Sequence, residues 1–141
     1  MKWKLTHVAA LGALLAAACF LAAAAPAPAG NASPQLAALD NLSPGNWEVR
    51  YRPDNTRDSV CVRTGRELIQ IRHGPLNCGQ FVVEATADRA TIHYTCRGHG
   101  YGRTQLRREN NRLVQIESQG IFDGSPFQFS AEARRVGSCT R

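Results

Sequence analysis

The chain has 141 residues, of which 43% are apolar, and a formal net charge of +6. That fits one small globular domain with a modest core, and the apolar share and positive charge are not those of a disordered acidic segment. Both lysines lie at the start, Lys2 and Lys4, so the rest carries 15 arginines against 11 acidic residues, a balance too small for a strong steering field.

Met1-Lys-Trp-Lys4 is a short basic start, Leu5 to Ala25 is almost wholly apolar, and Ala23, Ala25, Ala27 and Ala29 follow beside Pro26 and Pro28. This is the build of a secretory signal peptide over residues 1–25, with cleavage between 25 and 29. The run is about long enough to span a bilayer, yet it ends in Ala and Pro without a basic stop. Lipidation at Cys19 would want a larger aliphatic residue where Ala16 stands. The expectation is a periplasmic or secreted protein that touches the membrane only through its signal segment.

Residues 26–42 read as a lead-in, with Ser33 capping a short helix that carries Leu36 and Leu39 on one face. Ser43-Pro-Gly45 ends it, and residues 43–141 read as a single β-domain. Trp47, Val49 and Tyr51 alternate with Glu48, Arg50 and Arg52, a half-buried strand. After a turn at 53–56, Val60 and Val62 form a second strand with Cys61 on the opposite face. Thr64-Gly-Arg-Glu67 is a capping box that predicts a helix over 65–73, stopped by Gly74 and Pro75.

Hairpins fill the second half, and side-chain parity sets their turns. Phe81, Val83 and Ala85 share a face with Ile92 and Tyr94 if the tip is Asp88-Arg89, which places Glu84 opposite His93. Leu106 shares a face with Val114 and Ile116 if the loop is Glu109-Asn110-Asn111, with Asn111 left-handed. That register sets Arg103 opposite Glu117. Asp123-Gly124 is a two-residue hairpin signal that brings Phe127, Phe129 and Ala131 to the same face. The predicted fold is mainly β. An antiparallel meander of about seven strands curls into a barrel or half-barrel, with one short helix between strands two and three.

Pro44-Gly-Asn-Trp47-Glu, Cys61, Leu76-Asn-Cys78, Tyr94-Thr-Cys96 with its following glycines, and Arg135-Val-Gly-Ser-Cys139 together carry a resemblance. From Leu42 to Cys139 the chain resembles the bacterial exported domain-of-unknown-function family numbered 3617. The resemblance implies a small, exported, cysteine-containing protein and brings no activity with it. Gly45-Asn-Trp47 is also similar to the Gly-x-Trp start of lipocalins, whose other motifs are not evident.

The four cysteines of the exported part, Cys61, Cys78, Cys96 and Cys139, are expected as structural disulfides. Parity puts Cys61 outside and Cys96 inside, so those two do not join. The favoured pairing is Cys61–Cys78 with Cys96–Cys139. Cys61–Cys139 with Cys78–Cys96 is the alternative, because Cys139 leaves the last strand of a regular meander at the end away from Cys96.

The functional expectation is a non-catalytic binding or envelope-accessory module for a small apolar or anionic envelope ligand. An apolar ligand would use the concave face, lined by Trp47, Val49, Tyr51, Phe81, Val83, Tyr94, Phe127 and Phe129. An anionic one would use a basic stripe of Arg103, Arg107, Arg108, Arg112 and Arg134, flanked by Arg97 and Arg135. Two alternatives are a purely structural or interaction protein with a filled core, and a hydrolase using Glu84, His93 or Asp58. His93-Tyr-Thr-Cys96-Arg-Gly-His99 has metal-ligating residue types, but on a strand its two histidines stand about 20 Å apart. No cofactor, metal or nucleic-acid partner is expected.

Overall fold

The computed structural model describes residues 35–52 and 54–140. The signal segment and the Ser33 cap lie outside the described residues. Seven strands form one antiparallel sheet: β1 (Gly45–Arg52), β2 (Arg57–Val62), β3 (Cys78–Ala85), β4 (Arg89–Cys96), β5 (Gly100–Asn110), β6 (Leu113–Phe122) and β7 (Ser125–Gly137). Their spatial order is β2-β1-β7-β6-β5-β4-β3. The sheet is not closed; β2 and β3 are its two free edges.

That order dictates what fills the concave face. β2 and β3 are consecutive in sequence but sit at opposite edges, so residues 63–77 must cross the sheet. They do so as two 3₁₀ turns, Arg66–Leu68 and Ile71–His73, and bury Leu68, Ile69 and His73. The short helix α1 (Ala37–Asp40) adds Leu36, Leu39 and Leu42. Against them pack Trp47, Val49, Val62, Ala90, Ile92, Tyr94, Leu106, Val114, Ile116, Ala131 and Ala133. Fully burying one such side chain stabilises by about 1.5–3 kcal/mol.

The crossover is not the continuous helix that the capping box predicts. Half of the box is present: the Glu67 carboxylate accepts from the Thr64 backbone N–H at 3.2 Å, while Thr64 Oγ1 accepts from the N–H of Arg66 at 3.3 Å. Gly65 is left-handed at φ +83, and a Cβ there would sit 2.5 Å from the carbonyl oxygen of Leu39. Close contact with α1 therefore takes precedence over helical backbone at this position.

Three hairpin readings meet different outcomes. Asp123 (φ 47) and Gly124 (φ 79) form the predicted two-residue turn, with Phe122 opposite Ser125. The β5–β6 register is corrected: Glu109 is bulged, Asn111-Arg112 is the turn, and Asn111 is not left-handed. Asn110 Oδ1 accepts from the Arg112 N–H at 2.8 Å and shapes that turn. Arg103 consequently faces Gln119, not Glu117.

β3 is also corrected. Its register shifts between Val82 and Glu84, and the turn spans Thr86 to Arg89. Val82 packs against the core beside Ile92, whereas Phe81 (70% exposed) and Val83 (50% exposed) face solvent.

The disulfides join Cys61 to Cys139 and Cys78 to Cys96, not the favoured pairing. Topology explains the difference. β1 lies between β2 and β7, and Asn46 faces Cys61 on one side and Gly137 on the other, so the chain end emerges beside Cys61. Cys78 and Cys96 are direct cross-strand partners.

Candidate functional site

The apolar face expected to hold a ligand is divided. Trp47, Val49 and Tyr94 are core residues at 0–2% exposure, covered by α1 and the crossover. Tyr51, Phe127 and Phe129 are half-buried on the same side and pack on one another, with Tyr51 edge-on to Phe129 at 5.2 Å and Phe127 stacked on Phe129 at 6.2 Å. Phe81 and Val83 belong to the opposite face.

A polar network lies within the concave side, centred on His73, which the sequence reading does not single out. His73 Nε2 faces the carbonyl of His99 at 3.2 Å and donates to it; in the neutral imidazole Nδ1 then accepts from the Tyr94 hydroxyl at 3.2 Å. Thr104 Oγ1 donates to the carbonyl of Ile69 at 2.6 Å and accepts from Ser118 Oγ at 2.8 Å. Burial pushes the Tyr94 phenol up, against an opposing effect of the neighbouring Ser118 and Thr104 hydroxyls. All four side chains are buried, and their effect is to fasten the crossover to the sheet.

The hydrolase pair is not assembled. Glu84 stands opposite Thr91, while His93 stands between Phe81 and Arg103. Asp58 accepts from the Tyr51 hydroxyl at 2.8 Å on the far edge of the sheet. His99 Nδ1 lies 2.8 Å from Asp123 Oδ1, exposed at two strand ends. Among the described residues no three His, Cys, Asp or Glu side chains gather as metal ligands.

The basic stripe also separates. Arg108 stands opposite Val114, donates to the carbonyl of Ala87 at 2.8 Å, and has a buried Nε without a partner. Arg112 is in the β5–β6 turn, and Arg134 pairs with Glu132 at 3.4 Å. Arg97 is exposed in the β4–β5 turn, and Arg135 donates to the carbonyl of Pro44. Arg103 and Arg107 remain on the open outer face of β5.

That outer face carries the most extended site. The observed register aligns Phe81, His93, Arg103, Gln119 and Gln128 in one row across five strands. The next row holds Glu84, Thr91, Gln105, Glu117, Ser130 and Arg52. Three adjoining depressions of about 300, 80 and 470 Å³ lie along this face, the second between these rows and the other two extending beyond them on either side. The first two share Gln105, Glu117 and Ser130; the last two share Arg103, Gln119 and Gln128. They make one groove, from Arg52, Arg89 and Arg107 to Tyr101 and Ile121. Thr91 shows its depth: it faces outward yet is 3% exposed beneath its neighbours.

Bonding differs between the two halves of this face. On β1 and β7 the charges are tied together: Glu132 meets Arg50, Arg52 and Arg134 at 3.4–4.0 Å, and Gln115 donates to it. Burial works against ionisation of Glu132, but Gln115, Arg134 and Arg50 together hold its carboxyl below the ordinary 4.5. On the groove side, Arg89, His93, Tyr101, Arg103, Gln105, Glu117, Gln119 and Gln128 have no side-chain hydrogen bond or ion pair among the described residues. Arg107 meets Glu109, and Thr91 donates to Glu84 at 3.4 Å. The groove thus presents guanidinium donors, amides that both donate and accept, and two carboxylates.

No family model, curated protein or solved structure matches the chain. Two disulfides are the bonding expected of an oxidising compartment. No helix of the described residues is long and apolar enough to cross a membrane.

Proposed function

We propose that the chain is a non-catalytic binding module of the periplasm or the cell exterior, and that it takes an anionic ligand on the outer face of its sheet. Export through residues 1–25 belongs to this reading, as does membership of the exported family that the cysteine spacing resembles. The observation that carries it is the continuous groove in which the guanidinium groups of Arg89 and Arg103 and the amides of Gln105, Gln119 and Gln128 are left without side-chain partners among the described residues. Arginine is suited to this role because its planar donors match carboxylate and phosphate oxygens. The concave face, which an apolar ligand would need, is packed with protein.

The filled core also favours a second reading, a purely structural or interaction protein. Titration with simple probes separates the two. Glucuronate and inorganic phosphate should shift the backbone amide resonances of Arg103, Gln105, Glu117 and Gln119, and glucose should shift them far less. Arg103→Gln should weaken glucuronate about tenfold. No shift with either anion, or shifts unaffected by Arg103→Gln, would favour the structural reading.

A further inference from the structure

We infer that the ligand is a chain-like acidic glycan, one bearing uronic-acid carboxylates, that lies along the strands with a carboxylate at the arginine end and a sugar ring on Tyr101. This rests on the outer-face reading above and adds the class and orientation of its ligand.

Length is the first argument. Arg107 and Tyr101 are six residues apart on β5 and face the same side, which places them about 20 Å apart at ~3.4 Å per residue. A single small anion reaches one end of the groove only. A linear polymer parallel to β5 reaches both.

Chemistry along that path is the second. Arg52, Arg89 and Arg107 line one end of the groove; Arg52 is held by Gln115 and Glu132 and Arg107 by Glu109, which leaves the Arg89 guanidinium open to a carboxylate. Gln105, Gln119 and Gln128 follow, amides that can serve a hydroxyl as donor or acceptor. Tyr101 lines the far end, 56% exposed, and Phe81 stands beside His93 at 70%. The negative face of an aromatic ring attracts the positive C–H edge of a ligand.

Charge sign decides between polymers. Glu84 and Glu117 sit in the same groove as the arginines. A phosphate polymer has no donor along its chain to offer these two carboxylates. A uronic-acid glycan carries hydroxyl donors on each unit beside its charge, and the carboxylates accept them.

The test measures the affinity of the oxidised protein for galacturonate oligomers of one to six units, with polyphosphate of equal charge and neutral cello-oligosaccharides as comparisons. Affinity should rise at least tenfold from monomer to hexamer. Tyr101→Ala should remove most of that gain while leaving the melting temperature unchanged. A flat length dependence, or a length gain that survives Tyr101→Ala, would overturn the extended glycan while monomer binding still upheld the outer-face reading. Polyphosphate binding as tightly as the hexamer would overturn it as well. Absence of binding by every galacturonate species and by polyphosphate would remove both.

Discussion

Thr104 Oγ1 donates to the carbonyl oxygen of Ile69 at 2.6 Å, joining the middle of β5 to the segment that crosses the concave face. Both residues are fully buried. The bond satisfies a backbone carbonyl in an irregular segment that has few other ways to satisfy it. Thr104→Val keeps the shape and deletes the hydroxyl, leaving that carbonyl and Ser118 Oγ each without this partner. Urea denaturation should show a loss of about 1–3 kcal/mol. An unchanged midpoint would mean that water replaces the hydroxyl.

Gly124 has open space where a Cβ would be, so a substitution there acts through the backbone alone. With φ at +79 in a turn whose first residue, Asp123, is also left-handed, a β-branched residue is strained. Gly124→Val should destabilise by about 1–2 kcal/mol, judged from the left-handed penalty. Gly124→Asn, tolerated in that region, should lose less. Equal thermal shifts for the two variants would contradict the turn assignment.

The two disulfides close loops of very different size, with sequence separations of 78 and 18. On chain entropy alone, losing Cys61–Cys139 should destabilise by about 4.5 kcal/mol and losing Cys78–Cys96 by about 3 kcal/mol. Paired Cys→Ala variants measure both. A larger loss from the 78–96 pair would show that packing around the buried Cys96 outweighs the loop term. Non-reducing peptide mapping should recover Cys139 bonded to the Cys61 peptide.

Stability should fall at both extremes of pH, for different groups. Burial, with the Asp58 hydrogen bond and charge, raises the Tyr51 phenol well above 10.0 against the opposing charge of Arg72; burial raises Tyr94 too. Below pH 10 these phenols keep their protons in folded and unfolded chains alike, and their contribution is whole. As pH rises past 10 the unfolded chain releases its protons first, so stability drops. Glu132 works in the other direction: its contribution is present above about pH 4.5 and is lost as pH falls through its lowered folded value. Melting temperatures at pH 8 and pH 11 should differ less for Tyr51→Phe than for the parent chain. An equal drop would assign the alkaline loss elsewhere.

Much of the fold is legible in the sequence because one face of each strand is buried. Trp47-Val49-Tyr51 and Ala90-Ile92-Tyr94 declare that face by alternation, and Asp123-Gly124 fixes a turn by its backbone chemistry. Parity cannot distinguish registers that differ by two residues, however. Leu106 meets the core whether it faces Val114 or Ile116, and the bulge at Glu109 decides for Ile116. β3 is less legible still. Phe81-Val82-Val83 is apolar on both sides of an edge strand, so its pattern names no inner face, and the bulge leaves Val82 alone inside.

The candidate groove depends on those same registers. Gln105, Gln119 and Gln128 do not titrate and look like ordinary outward positions. Only the strand order and register bring them beside Arg103 and Glu117. His73 gives no local signal either, since its partners come from β4 and the β4–β5 turn.

The most direct measurement of the central claim is a residue-resolved map of where galacturonate hexamer touches the oxidised protein, read from backbone amide shifts. The account predicts changes along Thr91, Tyr101, Arg103, Gln105, Glu117 and Gln119, with Trp47, Val49 and Leu68 unmoved. Changes confined to the concave side, or none at saturating hexamer, would contradict it.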